Sequence, residues 1–404
     1  MLEFGDCLDR NEARASPSIN CATEDLSMKR QDGINTRCVH AAHSLEVGTG
    51  AVAQPIYLTT TFERDADGGY PRGYRYSREG TPNRATLETC VAELEGGLAA
   101  VAFASGLAAN MAVLELLHAG DHVVAPVEGY YGTLKQLREY AAGRGIAIDF
   151  ADLTNVHSVR AAITPRTRLV WIETPANPLL SITDLAFVTS VGHENGAWVV
   201  CDNTFATPVC QHPFDFGIDL IVHSGTKFLG GHSDVLSGVV VVRENGALLE
   251  RLKNWQSLAG AVLAPFDCWL LRRSIATLGL RVTTQCASAL AVAEYLATHQ
   301  SVERVYYPGL VQHRGHPIAA AQMTGGFGAV LSVCVLGGIE AAFETARRTR
   351  LFRRATSLGG VESLIEHRAS IEGSGSTTPG NLLRLSIGIE EPRDLIDDLA
   401  QALA

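Results

Sequence analysis

The stretch Val199-Val-Cys-Asp202-Asn-Thr-Phe-Ala-Thr-Pro208 and, shortly after it, Ile221-Val-His-Ser-Gly-Thr-Lys227-Phe-Leu-Gly-Gly-His-Ser-Asp234 decide how this chain is read. Each begins as a short apolar run of the kind that forms a buried strand, and each ends abruptly in polar residues and glycine. That pattern predicts Asp202 and Lys227 at neighbouring strand ends, where α/β enzymes place their ligands. Taken singly, a lysine after a threonine is a solvated residue and an aspartate ending a strand is a cap or turn former. Together, an acid and an amine with Ser224 and Thr226 beside the amine match what pyridoxal phosphate (PLP) requires. The amine forms the Schiff base, the carboxylate keeps the pyridine nitrogen protonated, and the hydroxyls hold the phosphate.

Working outward, Val101-Ala-Phe103, His122-Val-Val-Ala125, Leu169-Val-Trp-Ile172, Trp198-Val-Val-Cys201, Leu220-Ile-Val222 and Gly238-Val-Val-Val-Val242 read as strands separated mostly by stretches able to carry a crossover helix. This predicts an α/β fold with a mostly parallel central sheet. Beyond Ala264 the pattern changes. A long helical segment runs to about His299 with a break near Gly279, strand-like pieces follow at Val302 to Tyr307, Gly328 to Val335 and Leu382 to Ile389, and Pro392 to Leu403 reads as an amphipathic helix with proline in its first turn. The expected organisation is an N-terminal arm and dimer-contacting segment over 1–60, a cofactor-binding domain over 61–264 and a small α+β domain over 265–404.

Composition narrows the function. The chain has 404 residues, 46% of them hydrophobic, with a net charge of −10. No apolar run approaches the ~20 residues needed to span a bilayer. No basic cluster interleaved with aromatics appears either, so neither a membrane nor nucleic acid is the expected partner. The nine cysteines show no CxxC pair and no zinc-like spacing. The segment up to about Gln31 mixes acidic residues with Ser, Asn and Arg, lacks the apolar core of a secretory signal and reads as a flexible arm; a cytoplasmic enzyme is expected. His223, His232 and Asp234 are metal-ligand types, but no second ligand pair at helical spacing accompanies them.

Further motifs extend the reading: Gln54-Pro-Ile-Tyr-Leu-Thr-Thr-Thr-Phe62, Tyr76-Ser-Arg78, Ala104-Ser-Gly106-Leu-Ala-Ala109, Tyr131-Gly132, Glu173-Thr-Pro-Ala-Asn-Pro178, Ser357-Leu-Gly-Gly-Val-Glu-Ser-Leu364 and Leu383-Arg-Leu-Ser-Ile-Gly-Ile-Glu390. With the two opening stretches, and in this order from about Val39 to the C-terminus, they resemble the Cys/Met-metabolism group of PLP-dependent enzymes. That group includes cystathionine γ-synthase, cystathionine γ- and β-lyases, methionine γ-lyase and the O-acylhomoserine sulfhydrylases. The resemblance implies a fold-type I architecture and a homotetramer built as a dimer of dimers, with active sites shared across the dimer.

It also implies roles, position by position. Backbone amides of Gly106 and Leu107 would meet the phosphate at a helix N-terminus, joined by Ser224 and Thr226. Tyr76 and Arg78 would reach in from the neighbouring subunit. Tyr131 would stack on the pyridine ring and move protons; Asn177 would hydrogen-bond the phenolic oxygen. Arg384 would pair with the substrate α-carboxylate, with Ser357 and Tyr76 beside it; its interruption of the apolar run Leu382-Leu-Arg-Leu-Ser-Ile387 already argues for a buried arginine that needs an anion. Lys227 and Tyr131 are the expected catalytic residues.

The implied activity is γ-replacement or γ-elimination on a homoserine-derived or sulfur-containing amino acid, through a vinylglycine-type intermediate. Cystathionine β-elimination and a specialised γ-substituted substrate are the alternatives. A chain that kept the fold as a non-catalytic regulator would be expected to lose the lysine, the arginine or the tyrosine, and all three are present. Three departures from the group's pattern stand out. Thr133 follows Tyr131-Gly132 where methionine γ-lyases carry cysteine, which argues against that activity. Gly80-Thr-Pro-Asn83 replaces Asn-Pro-Thr. Arg368-Ala-Ser-Ile-Glu-Gly-Ser-Gly375 lacks the usual Pro and Met-Thr-His in the loop that shapes the substrate side-chain pocket.

Overall fold

The computed structural model describes residues 32–43, 45–46, 48–372 and 378–404. The arm expected up to Gln31 and residues 373–377 of the polar loop lie outside the described residues.

Seven strands form the larger sheet: β1 (Ala99–Phe103), β2 (His122–Pro126), β3 (Ala147–Ala151), β4 (Thr167–Glu173), β5 (Trp198–Asp202), β6 (Leu220–His223) and β7 (Gly238–Val242). Their order is β1-β7-β6-β5-β4-β2-β3, parallel throughout except for β7, which runs against both neighbours. Alternate residues supply two separate cores. Val124, Val170, Ile172, Val199, Cys201, Ile221 and Val241 face one side, while Val123, Leu169, Trp171, Val200, Val222 and Val240 face the other. A sheet covered on both faces needs near-continuous apolar strands, which is why the sequence announces them as runs rather than as alternations.

β3 escaped the sequence reading. Ala147-Ile-Asp-Phe-Ala lies at the sheet edge and is largely half-buried, with Asp149 facing solvent, so it lacks the apolar run of its neighbours.

The second sheet contains β8 (Val302–Tyr306), β9 (Val330–Val335), β10 (Arg353–Arg354), β11 (Leu364–His367) and β12 (Leu382–Ser386), in the order β10-β11-β12-β9-β8. One face, with Leu331, Val333, Ile365, Leu383 and Leu385, packs on the helices Leu278–Ala297 and Pro392–Leu403. The period of two therefore turns Ser332, Glu366 and Arg384 toward the larger sheet, and Ser332 Oγ donates to the Pro178 carbonyl at 2.7 Å.

The expected long helix is two helices, Pro265–Ile275 and Leu278–Ala297, bent by 59°. The bend falls at Ala276–Thr277 rather than at Gly279. Gly279 lies inside the second helix, where a Cβ would collide with Asn35 of the helix Ile34–His40; its small size serves packing between helices.

Candidate active site

The carboxyl ends of β4, β5 and β6 converge on a cavity of about 450 Å³ lined by residues of both sheets. Register sets Glu173 directly beside Asp202 across β4 and β5. The chain leaves β6 through a tight turn in which the Lys227 amide donates to the Ser224 carbonyl at 3.1 Å, and this turn delivers Lys227 to the cavity.

The electrostatics of this end are governed by burial. The Lys227 amine makes no hydrogen bond or ion pair among the described residues, and burial, reinforced by Arg384, lowers its pKa to about 8 against the pull of Asp202 and Glu366. Burial also raises the Asp202 carboxyl, opposed by hydrogen bonds from Thr204, whose amide donates to Oδ1 at 3.0 Å. Glu173 is pushed up to about 8, first by burial and then by the Asp202 charge. Its two oxygens tie two loops together, accepting from the Tyr130 amide at 2.7 Å and the Asn177 amide at 2.9 Å.

The opposite wall is charged. Arg384, nearly fully buried, donates from Nη1 to Asn177 Oδ1 (3.1 Å) and from Nη2 to the Ser357 carbonyl (2.8 Å) and Glu366 Oε2 (2.6 Å). Burial first, then neighbouring Arg368, brings its pKa down to about 10. Ser357 has φ of 86°, in the left-handed region; such a backbone costs on the order of 1–3 kcal/mol for a residue with a side chain and concentrates at functional sites.

Comparison with known proteins fits this geometry. The model of the Cys/Met metabolism PLP-dependent enzyme family matches residues 35–404. The chain belongs to that family. It is 46% identical to a cystathionine gamma-synthase of Mycobacterium tuberculosis (92% of this chain, 97% of that protein) and 43% identical to a cystathionine beta-lyase of Coxiella burnetii (93% and 98%). The crystal structure of metB from Corynebacterium glutamicum superposes with a TM-score of 0.90 at 40% identity, covering 92% of this chain and 98% of that one. The protein is accordingly a PLP-dependent enzyme of fold type I.

The cavity suits that cofactor. Ser105 caps the helix Gly106–Leu114, its hydroxyl accepting from the Ala108 amide at 3.1 Å. The amides of Gly106 and Leu107 are left without intrahelical acceptors, as at every helix start, and so are available to a phosphate. A Cβ at Gly106 would sit 3.0 Å from the Ser224 hydroxyl, so glycine is what lets that hydroxyl close the cradle; Ser224 Oγ has no protein partner among the described residues. Thr226 is different, because its hydroxyl already donates to the Ser237 carbonyl at 3.2 Å and accepts from the Ser237 amide at 3.0 Å. Lys227 supplies the amine for the aldehyde, Asp202 a carboxylate for a protonated ring nitrogen, and Asn177 Nδ2 a donor with no partner among the described residues.

Gly106, Leu107, Asn177, Asp202, Ser224, Thr226, Lys227, Ser357 and Arg384 thus share one cavity. Tyr131 does not line it. Both tyrosines are 41% exposed, but it is the preceding Tyr130 that lines the cavity. Gly132 explains the difference, since a Cβ there would lie 2.6 Å from the Tyr130 ring; the glycine makes room for the tyrosine two residues before it. Tyr76 and Arg78 lie outside this chain's own cavity, where Arg78 Nη1 donates to the Ser257 carbonyl at 2.8 Å. His223 points into the core, 2.6 Å from Glu95, and His232 bonds the Gly230 carbonyl, so these two histidines are engaged separately. The sequence reading assigned no role to Glu173, Glu366 or Arg368. Glu173 stood inside a quoted motif, and its place at the end of an apolar run was the available signal.

Proposed function

We propose that this enzyme catalyses γ-replacement or γ-elimination on a homoserine-derived or sulfur-containing amino acid, in the manner of a cystathionine γ-synthase. The observation that carries the reading is the placement of a buried lysine amine with a pKa lowered to about 8 between a cofactor-binding carboxylate, Asp202, and a buried guanidinium, Arg384. The 46% identity to a cystathionine gamma-synthase supports γ-replacement, and the 43% identity to a beta-lyase supplies the competing reading.

When bound, PLP supplies the electron sink for charge developing at the substrate Cα. The residues divide the remaining work. Arg384 binds the α-carboxylate through charge-assisted hydrogen bonds and so orients the Cα proton. The Lys227 amine, once free, accepts that proton, a task suited to a base whose pKa lies near neutrality. Asp202 would place its carboxylate beside a protonated ring nitrogen, and burial would strengthen that interaction. Tyr130, rather than Tyr131, lines the cavity and would cover the ring. For γ-chemistry Lys227, once it has passed on the first proton, would take a second from Cβ before the γ-substituent departs; a thiol then adds at Cγ as protons return to Cβ and Cα, or water releases the product as a 2-oxo acid and ammonia.

The enzyme is further proposed to assemble as a homotetramer in which Tyr76 and Arg78 enter the partner subunit's site. In support, Leu58 and Val52 of the adjoining segment are 77% and 67% exposed, apolar side chains that a partner subunit would cover. Incubation of the holoenzyme with O-acetylhomoserine, O-succinylhomoserine, cystathionine or methionine, with and without cysteine, tests the activity. Cystathionine should form from an O-acylhomoserine plus cysteine, with 2-oxobutanoate and ammonia when cysteine is omitted. Pyruvate and homocysteine from cystathionine, produced faster than any γ-product, would overturn this reading in favour of β-elimination.

A further inference from the structure

Arg384 has little capacity left for a substrate. Its Nη2 gives both hydrogens away, to the Ser357 carbonyl and Glu366 Oε2, and its Nη1 gives one to Asn177 Oδ1. A guanidinium has five N–H groups in a fixed planar fork, so a carboxylate arriving in two-point fashion must displace one of these acceptors. The Ser357 carbonyl is fixed by its left-handed backbone, and Asn177 is anchored through its own amide to Glu173. Glu366 is the acceptor with somewhere else to go.

That alternative is Arg368. Glu366 and Arg368 are two residues apart at the end of β11, on the side facing the cavity, and both are buried. Arg368 Nη1 donates to the same Glu366 Oε2 at 2.9 Å, while its Nε and Nη2 hold Glu372 Oε1 at 3.3 and 3.0 Å. Glu366 is therefore shared between two arginines through one oxygen. Its other oxygen, Oε1, is buried without a hydrogen-bond partner among the described residues, a costly state for a carboxylate. The pairing is incomplete as it stands, and a move toward Arg368 would let both oxygens be used.

We propose that Arg368 is a positioning residue that receives Glu366 when the substrate α-carboxylate takes its place on Arg384. Glu366 acts as the counter-ion of Arg384 that the substrate carboxylate replaces, and Arg368 sets how readily it yields. The inference rests on the assignment of Arg384 to the α-carboxylate. Arg368 acts through Glu366 and need not touch substrate.

The test uses the holoenzyme and two unreactive probes, L-norvaline and n-butylamine, which differ by the α-carboxylate, titrated against the absorbance of the bound cofactor. Arg368→Gln strands Glu366 on Arg384, so norvaline should bind about 10- to 100-fold more weakly, the range set by a hydrogen-bonded charge, while butylamine binding stays the same. With a reactive donor, the larger part of the loss should fall in KM rather than kcat, and Arg368→Lys should recover part of it. The decisive variant is Glu366→Gln combined with Arg368→Gln. Removing the competing charge should return norvaline affinity to within about threefold of wild type. No recovery in the double variant would overturn the proposal, as direct contact between Arg368 and substrate predicts. Equal weakening of norvaline and butylamine would also overturn it, as a purely architectural Arg368 predicts. Because norvaline needs no turnover, inactivity toward every O-acylhomoserine would sink the proposed reaction while leaving this pattern intact. A wild-type cofactor spectrum indifferent to norvaline would remove the Arg384 assignment and the inference with it.

Discussion

The two walls of the cavity solve different problems. The wall made by the ends of β4, β5 and β6 carries few groups, each set by local backbone: an aspartate ending a strand, a lysine in the turn after the next, and a glycine that lets a helix start approach a serine. The wall made by β11 and β12 carries Arg384, Arg368 and Glu366, buried and meeting across strands. A cofactor held at all times needs a fixed cradle, whereas a substrate that comes and goes needs charges with alternative partners. Burial works on both walls, but toward different ends. It lowers the lysine toward a usable base, and it keeps the arginines dependent on whatever anion is present.

The largest effects should separate the walls outright. Lys227→Ala should lose the imine band near ~420 nm together with at least about 1,000-fold in kcat. Arg384→Gln should keep the band and lose about 100-fold in kcat/KM, in line with a charge-assisted pair. Absorbance and steady-state kinetics on the two purified variants check both. An Arg384→Gln protein that also fails to retain the cofactor would show that the walls are not separable, because Arg384 would then be holding the cofactor side through Asn177.

The same division explains what could be seen in the sequence. Strand-and-turn features depend on neighbours a few residues away, so Asp202, Ser224, Lys227 and the Gly106 helix start were legible, as were the helix Pro392–Leu403 and the apolar strands of the larger sheet. β11 was not. Leu364-Ile-Glu-His carries two ionisable residues in four and has no outward sign of a strand, yet all four are buried because β10 and β12 flank it. Its glutamate accepts from an arginine 18 positions away in sequence, a pairing that no local period encodes. The tyrosines failed by a single residue. Tyr130 and Tyr131 are adjacent and chemically identical, and only the space opened by Gly132 distinguishes the one that faces the cavity.

That distinction gives the next, smaller effect. Tyr130→Phe should lower kcat by about 10- to 100-fold if its hydroxyl assists proton movement, within the usual range for an acid–base group. Tyr131→Phe, outside the cavity, should change kcat by less than about twofold and stability by no more than ~0.5 kcal/mol. The reverse ranking would return the ring-facing role to Tyr131 and break the account of Gly132. Thermal denaturation of both variants separates any loss of fold from loss of chemistry.

The smallest effect concerns acidity on the cofactor wall. The Lys227 pKa is lowered to about 8 from an ordinary 10.5, so in the apoprotein the reactive neutral amine should appear as pH rises through about 8. Incorporation of PLP into apoprotein, followed by borohydride trapping, should be half-maximal there; a midpoint near 10 would mean that burial of Lys227 has no such effect. The linked stability has a definite sign. A cation whose folded pKa lies below its unfolded value binds fewer protons when folded, so its burial destabilises the apoprotein fully below about 8, and this is relieved as pH climbs toward 10.5. Glu173 runs the other way. Held at about 8 against an ordinary 4.5, it keeps its proton when folded, and its burial costs stability increasingly between those values. Apoprotein stability attributable to this wall should therefore pass through a minimum near pH 8, where Glu173 has become charged and Lys227 has not yet shed its proton. In Glu173→Gln the falling limb between pH 4.5 and 8 should shrink to the part left by Asp202, whose carboxyl burial also raises, while the rising limb above 8 remains, which chemical denaturation at stepped pH would show.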